Sequence, residues 1–190
     1  SIPAFLDTLP QEEMLNGQME MVKTAAVTDP QLFNELIAST DNFQFSIFNF
    51  QLKQVARIKA RVVKADPYDH GIRKILNFGH TFGHAIEVYS HLPHGIAVGI
   101  GMKAAMYLST KKTELSEEVY RVYSKWLNGQ IELPKYNLKD IEQILSLMRQ
   151  DKKNASGAIR CVLLQELGAA MIDVEVSDNE IRDAFLKLGQ

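Results

Sequence analysis

The sequence predicts a mainly α domain, bundle-like, with a small β-hairpin near its C-terminus. Three observations carry that expectation. Apolar residues recur at three- and four-residue spacing through most of the first 150 positions. Helix-opening signals are frequent, among them Asp29-Pro30 and the Ser177 to Glu180 capping box. Only positions 158–176 offer two apolar runs around a glycine-containing turn. With 190 residues, 46% of them hydrophobic, the chain is long enough to bury one good core.

Taken in order, Leu9-Pro10 precedes a helix from Gln11 to about Ala26, and Asp29 caps a second that runs from Pro30 to about Ala38. A longer helix is expected from Asp41 to about Val63, with Ile47, Leu52, Val55, Ile58 and Val62 on one face. Asp66-Pro67 and Gly71 then form a loop. Next come a helix over the run LNFGHTFGHAIE, a loop at 91–95, an apolar helix from Ile96, and another from about Ser116 to Leu127. Ile141, Ile144, Leu145 and Met148 give the helix from Leu138 to about Arg149 one buried face. Strands follow over Ala158 to Leu164 and Ala169 to Val176, paired about Glu166 to Gly168, and Ser177 opens a closing helix over Asp178 to Leu188.

Composition narrows the function. The net charge is −2 and the lysines are scattered, so no basic stripe of the nucleic-acid-binding kind is present. The apolar run from Ile96 to Leu108 is interrupted by Lys103 and falls short of the roughly 20 residues of a membrane span, so no membrane partner is expected. A single cysteine, Cys161, rules out an internal disulfide framework and a thiolate metal cluster within one chain. That usage suits a reducing compartment. No leader pattern is read at the start, and a cytoplasmic location is expected.

The histidines carry the chemistry. His80 and His84 are four apart and share a helical face, and the same stripe runs back through Asn77 to Arg73. Gly79 and Gly83, also four apart, would cost such a helix up to about 2 kcal/mol relative to alanine, and the close approach of another backbone is the usual reason to keep them. A lone histidine on an apolar face is ordinarily a hydrogen-bonded core residue. Here His80, His84 and His94 fall within 15 positions, which points to a site. A histidine-rich, cysteine-poor site favours zinc, with three protein ligands and a position left open. Ligation by the i, i+4 pair in the HExxH manner is excluded because Thr81 stands where the glutamate base is required. His94 opens the apolar helix, where the positive helix end favours a neutral, metal-ready ring. His70 and His91 receive no role.

Two stretches, RKILNFGHTFGHAIE (73–87) and HGIAVGIGM (94–102), closely resemble the 3-dehydroquinate synthase family. The resemblance extends to FLDTLP at 5–10, GQMEMVK at 17–23, KARVV at 59–63 with Asp66, DKK at 151–153, and the segment from Val162 to Gly168. It covers residues 1–190 as the C-terminal helical zinc- and substrate-binding half of a two-domain enzyme. The N-terminal, glycine-rich NAD-binding half is not represented, so the chain alone is expected to be inactive.

The resemblance implies that Glu20, His80 and His94 hold Zn2+ or Co2+ and that His84 is an acid/base and phosphate-contacting residue. It implies that Lys23, Lys59, Arg73, Asn77 and Lys152 grip the substrate, with Lys153 as the alternative to Lys152. Phe5, Leu6, Asp7 and Thr8 match a stretch that touches NAD. The implied reaction is a phosphate-eliminating carbon–oxygen lyase step of the shikimate pathway. It converts 3-deoxy-arabino-heptulosonate 7-phosphate, a small anionic sugar-acid phosphate, to 3-dehydroquinate, in a protein that usually forms homodimers. Two alternatives share the scaffold or the site: another sugar-phosphate cyclase, making 2-deoxy-scyllo-inosose or 2-epi-5-epi-valiolone, or a non-catalytic metal-binding helical module. Ile96 follows His94-Gly95 where the family usually has glutamate, which removes a carboxylate beside the proposed metal.

Overall fold

The computed structural model describes residues 8–38, 45–150 and 158–189. In chain order these form α1 (Gln11–Thr28), α2 (Pro30–Ala38), α3 (Phe45–Ala65), a 3₁₀ helix (Ile72–Asn77), α4 (His80–Ser90), α5 (His94–Lys112), α6 (Glu117–Gln130) and α7 (Leu138–Gln150). The hairpin β1 (Ile159–Glu166) and β2 (Ala169–Val176) and the closing helix α8 (Asp178–Leu188) complete the fold. The mainly α architecture with one late hairpin is the predicted one.

Helix α5 is the axis of the domain. Every residue from Gly95 to Ser109 is buried, as expected of a helix that is apolar all round. Helices α1, α4, α6 and α8 and strand β1 pack against it. Ser109 and Thr113 of α5 hold the irregular end of β1: the Leu164 amide donates to Ser109 Oγ at 2.9 Å, and Thr113 Oγ1 donates to the Leu164 carbonyl at 2.5 Å. The ladder slips next to Leu164, so its main-chain groups need these side-chain partners. The hairpin tip reaches back to α1, with the Gly168 amide donating to the Ala26 carbonyl at 2.8 Å.

Local signals fix the ends. The Leu32 amide donates to Asp29 Oδ1 at 3.0 Å, and the Ser177–Glu180 box is formed in both directions. Helix α3 is less covered than its periodicity suggests. Of its described side chains Gln51 and Val55 are buried, while Phe50 is 61% exposed. Ile47 and the predicted start at Asp41 lie outside what is described. No helix among the described residues is long and apolar enough to cross a membrane.

One expectation is corrected. The motif does not lie on a single helix: Ile72–Asn77 is 3₁₀, α4 begins at His80, and Gly79 between them is left-handed at φ 78°. A glycine adopts that conformation without the Cβ clash that other residues meet. The stripe from Arg73 to His84 is therefore broken at Gly79. The reason foreseen for the two glycines holds. A Cβ on Gly83 would lie 2.9 Å from Val98 Cα, and one on Gly101 would lie 2.2 Å from the Gly79 carbonyl oxygen. Helices α4 and α5 meet there backbone to backbone.

Candidate metal centre

Three elements converge on one point. Glu20 comes from α1, His80 from the first residue of α4 and His94 from the first residue of α5, and their ligand atoms all lie within 4.8 Å of one another. The α4–α5 contact sets the distance between the two imidazoles, and α1 brings the carboxylate. His80 Nε2 lies 4.0 Å from Glu20 Oε1.

Each imidazole is oriented from behind. His80 Nδ1 faces the Phe78 carbonyl at 3.3 Å, and His94 Nδ1 faces Glu87 Oε2 at 2.8 Å. Both partners only accept, so each Nδ1 carries a proton and each Nε2 is the ring nitrogen left to face the centre. This is the arrangement that steers histidine onto a metal. Burial first, then the Lys23 charge, hold the His80 imidazolium down to about 3, against the opposing pull of Glu20. The ring is therefore neutral near pH 7.

Burial alone would raise the Glu20 carboxyl, but Lys23 and Lys59 hold it down to about 2. Lys23 Nζ donates to both Glu20 oxygens at 2.9 Å, and Lys59 Nζ donates to Oε2 at 3.0 Å. Burial lowers Lys23 to about 8, with Glu20 pulling it up and Lys59 pushing it further down. One ionised carboxylate and two imidazoles whose ligand atoms converge suit zinc, or cobalt, with a position left for a ligand oxygen. The donor set fits.

His84 stands beside this group rather than in it. Its ring lies 5.1 Å from that of His80 and 5.9 Å from that of His94. His80 and His84 also line a cavity of about 320 Å³ whose walls include Lys74 and Asn77 of the 3₁₀ helix, Thr81 of α4 and Arg160 of β1. Asn77 thus reaches the site across the Gly79 break. Arg73 does not line that cavity. Its guanidinium donates to the Pro67 carbonyl at 3.0 Å and its amide to Asp66 Oδ2 at 3.1 Å. Thr8 lies in an exposed turn ahead of α1. Phe5, Leu6, Asp7, Lys152 and Lys153 lie outside the described residues.

Two residues of the site were missed in the sequence. Glu87 holds His94, and Asn16 Oδ1 accepts from the Ile96 amide at 3.2 Å, tying the start of α5 to α1. The signal for Glu87 was present, since His80, His84 and Glu87 recur at four and three residues on one helical face. Glu87 also supplies a carboxylate beside His94, the group whose loss at Ile96 was noted. Ile96 itself is buried at 7% exposure.

Fold and site together define a helical domain built around a Glu–His–His cluster with the donor composition of an open metal centre. Residues 17–154 match the family described as 3-dehydroquinate synthase C-terminal. The 3-dehydroquinate synthase of Bacillus mycoides is 36% identical over 95% of this chain and 51% of its own length, and that of Salinibacter ruber is 34% identical over 96% and 52%. Among solved structures, the 2-epi-5-epi-valiolone synthase ValA of Streptomyces hygroscopicus, with NAD+ and Zn2+ bound, superposes with TM-score 0.80 at 23% identity, over 98% of this chain and 54% of ValA. A 2-deoxy-scyllo-inosose synthase complexed with carbaglucose-6-phosphate, NAD+ and Co2+ gives 0.75 at 19% identity, over 95% of this chain and 52% of its own. The chain belongs to the 3-dehydroquinate synthase C-terminal family, and it spans about half the length of the curated relatives it matches.

Proposed function

We propose that this chain is the metal- and substrate-binding half of a 3-dehydroquinate synthase. The whole protein would convert 3-deoxy-arabino-heptulosonate 7-phosphate to 3-dehydroquinate with loss of phosphate, in the cytoplasm and in the shikimate pathway. The observation that carries the reading is the convergence of Glu20, His80 and His94, with both Nδ1 atoms engaged from behind, in a chain of this family. The NAD site is assigned to an N-terminal domain of the same protein, with Phe5, Leu6, Asp7 and Thr8 contributing one edge, and the working form is a homodimer.

Glu20, His80 and His94 would hold Zn2+ or Co2+, which when bound polarises the substrate hydroxyl that NAD oxidises. Lys23 and Lys59, already crowded onto the carboxylate of Glu20, supply positive charge for the substrate's carboxylate. Arg73 and Lys152 are assigned to the anionic groups and Asn77 to a hydroxyl or phosphate oxygen. His84, one turn past His80 and outside the ligand cluster, accepts and returns the proton that moves with phosphate loss. The second reading, another sugar-phosphate cyclase, is supported by the likeness in fold to ValA and the inosose synthase. The curated relatives that align over most of the chain favour the first.

Zinc titration of His80→Ala and His84→Ala tests the assignment. The expected result is loss of stoichiometric zinc in His80→Ala and its retention in His84→Ala, with phosphate release abolished by both in the two-domain protein. Zinc retained by His80→Ala would overturn the ligand set. Turnover of 2-epi-5-epi-valiolone or inosose precursors in preference to the heptulosonate phosphate would overturn the substrate.

A further inference from the structure

The pocket between α5, α6 and α8 presents a charge imbalance that the metal centre does not explain. Two lysines are buried among the described residues. Lys23, at 3% exposure, has Glu20 as its partner. Lys103, at 1% exposure in the middle of α5, has no carboxylate partner among the described residues. Its ammonium donates to the Leu188 carbonyl at 2.8 Å and to Asn128 Oδ1 at 3.4 Å, which leaves one of its three protons over. A cation taken out of water without an anion is costly, and the half-charge at the C-terminal end of α8 offsets only part of that.

Lys103 is also the inner wall of an open cavity of about 590 Å³. Lys111, Arg121, Lys125 and Lys187 line the rest of it, against a single lining carboxylate, Glu117. Glu117 is itself engaged by Lys111 at 3.0 Å. Five cations and one anion give a local charge of +4 in a chain whose net charge is −2. The Tyr107 and Tyr120 rings, 5.8 Å apart and tilted 58° to each other, add apolar surface to the wall. Asp183 of α8 accepts from the Tyr107 hydroxyl at 2.5 Å. A concavity that gathers one sign of charge over low-dielectric walls concentrates ions of the other sign. Lys103 is nine helical steps past His94, about 14 Å along α5, and this cavity shares no lining residue with the one at His80 and His84.

We propose that this pocket is a second binding site, for a small molecule carrying two or more negative charges as phosphate or carboxylate groups. The bound anion supplies the countercharge that Lys103 lacks, Arg121 and Lys125 grip it from the rim, and Asn128 orients it.

The test is a titration of the 190-residue chain with inorganic phosphate and, separately, with citrate. It is followed by amide NMR at Ser124, Lys125 and Asn128. Saturable shifts at these residues are expected, unchanged in Arg73→Ala, with the dissociation constant raised about tenfold or more in Lys103→Met and in Arg121→Ser/Lys125→Ser. A response to phosphate alone assigns the ligand to phosphate esters, and a response to citrate alone assigns it to polycarboxylates. Two results overturn the proposal: resonances that stay still with both ions, or shifts that survive in the Arg121→Ser/Lys125→Ser variant, which lies on the surface and decides the matter even where Lys103→Met fails to fold.

Discussion

Replacing Gly101 by alanine places a Cβ 2.2 Å from the Gly79 carbonyl oxygen and 2.7 Å from the Gly83 nitrogen, where ordinary contact begins at 3.4 Å. Both obstacles are main chain, so no rotamer change relieves them, and α4 must move off α5 by more than an ångström. Overpacking of this kind costs about 1–3 kcal/mol. With main-chain obstacles the upper end applies, and the better helix propensity of alanine returns at most about 1 kcal/mol. The net loss is about 2 kcal/mol, which for a chain of this size lowers Tm by roughly 4–8 °C. Gly129 supplies the control, because a Cβ there meets nothing within 4 Å. Gly129→Ala should raise stability by up to about 1 kcal/mol through helix propensity alone. Thermal melts followed by circular dichroism and by the single tryptophan, Trp126, measure both. Zinc titration of Gly101→Ala should show weakened binding, since His80 and His94 ride on the displaced helices. Equal melting temperatures for the two variants would refute the argument that this backbone contact sets the site.

Glu87→Ala removes the acceptor that orients His94. It should weaken zinc binding about 10- to 100-fold in a calorimetric titration while changing the stability of the metal-free chain by less than about 0.5 kcal/mol, because both partners are substantially exposed. Cys161 is buried and its thiol is pushed up to about 12, so iodoacetamide at pH 8 should label it only at the rate of unfolding. Labelling of the folded chain at the rate of a free thiol would contradict its burial. Glu180 is held near 2, chiefly by its hydrogen bond from Lys112 and by the Ser177 cap, against an ordinary value of 4.5. Its stabilising effect is therefore complete above about pH 4.5 and is lost as pH falls toward 2. Glu180→Gln should flatten the dependence of Tm on pH across that interval, and an unchanged slope would remove Glu180 from the account.

What the sequence made legible was local. Asp29-Pro30 and the Ser177–Glu180 box announce helix starts through side chains that reach only two or three residues along the chain, and each cap formed as read. The three residues that converge were legible as candidate ligands because two of them sit in one dense histidine cluster and the third in a motif shared with a family. The break at Gly79 was hidden. Positions 73, 77, 80 and 84 satisfy helical spacing whether or not the helix is continuous, and only the approach of Val98 and Met102 from α5 decides for the left-handed turn. Lys103 was hidden for a related reason. Within its own helix it reads as one interruption in an apolar run, and its partners, Asn128 and Leu188, lie 25 and 85 residues away.

The interruption at Gly79 has a geometric consequence. Side chains in a row on an unbroken helix project from a convex cylinder and can touch a small molecule from one side only. Bending the chain through a left-handed residue turns Lys74 and Asn77 out of line with His80, Thr81 and His84, and all five face one cavity. A row becomes a cup. Enclosure of a ligand from several bearings at this place follows from one main-chain torsion and not from the length or charge of the side chains.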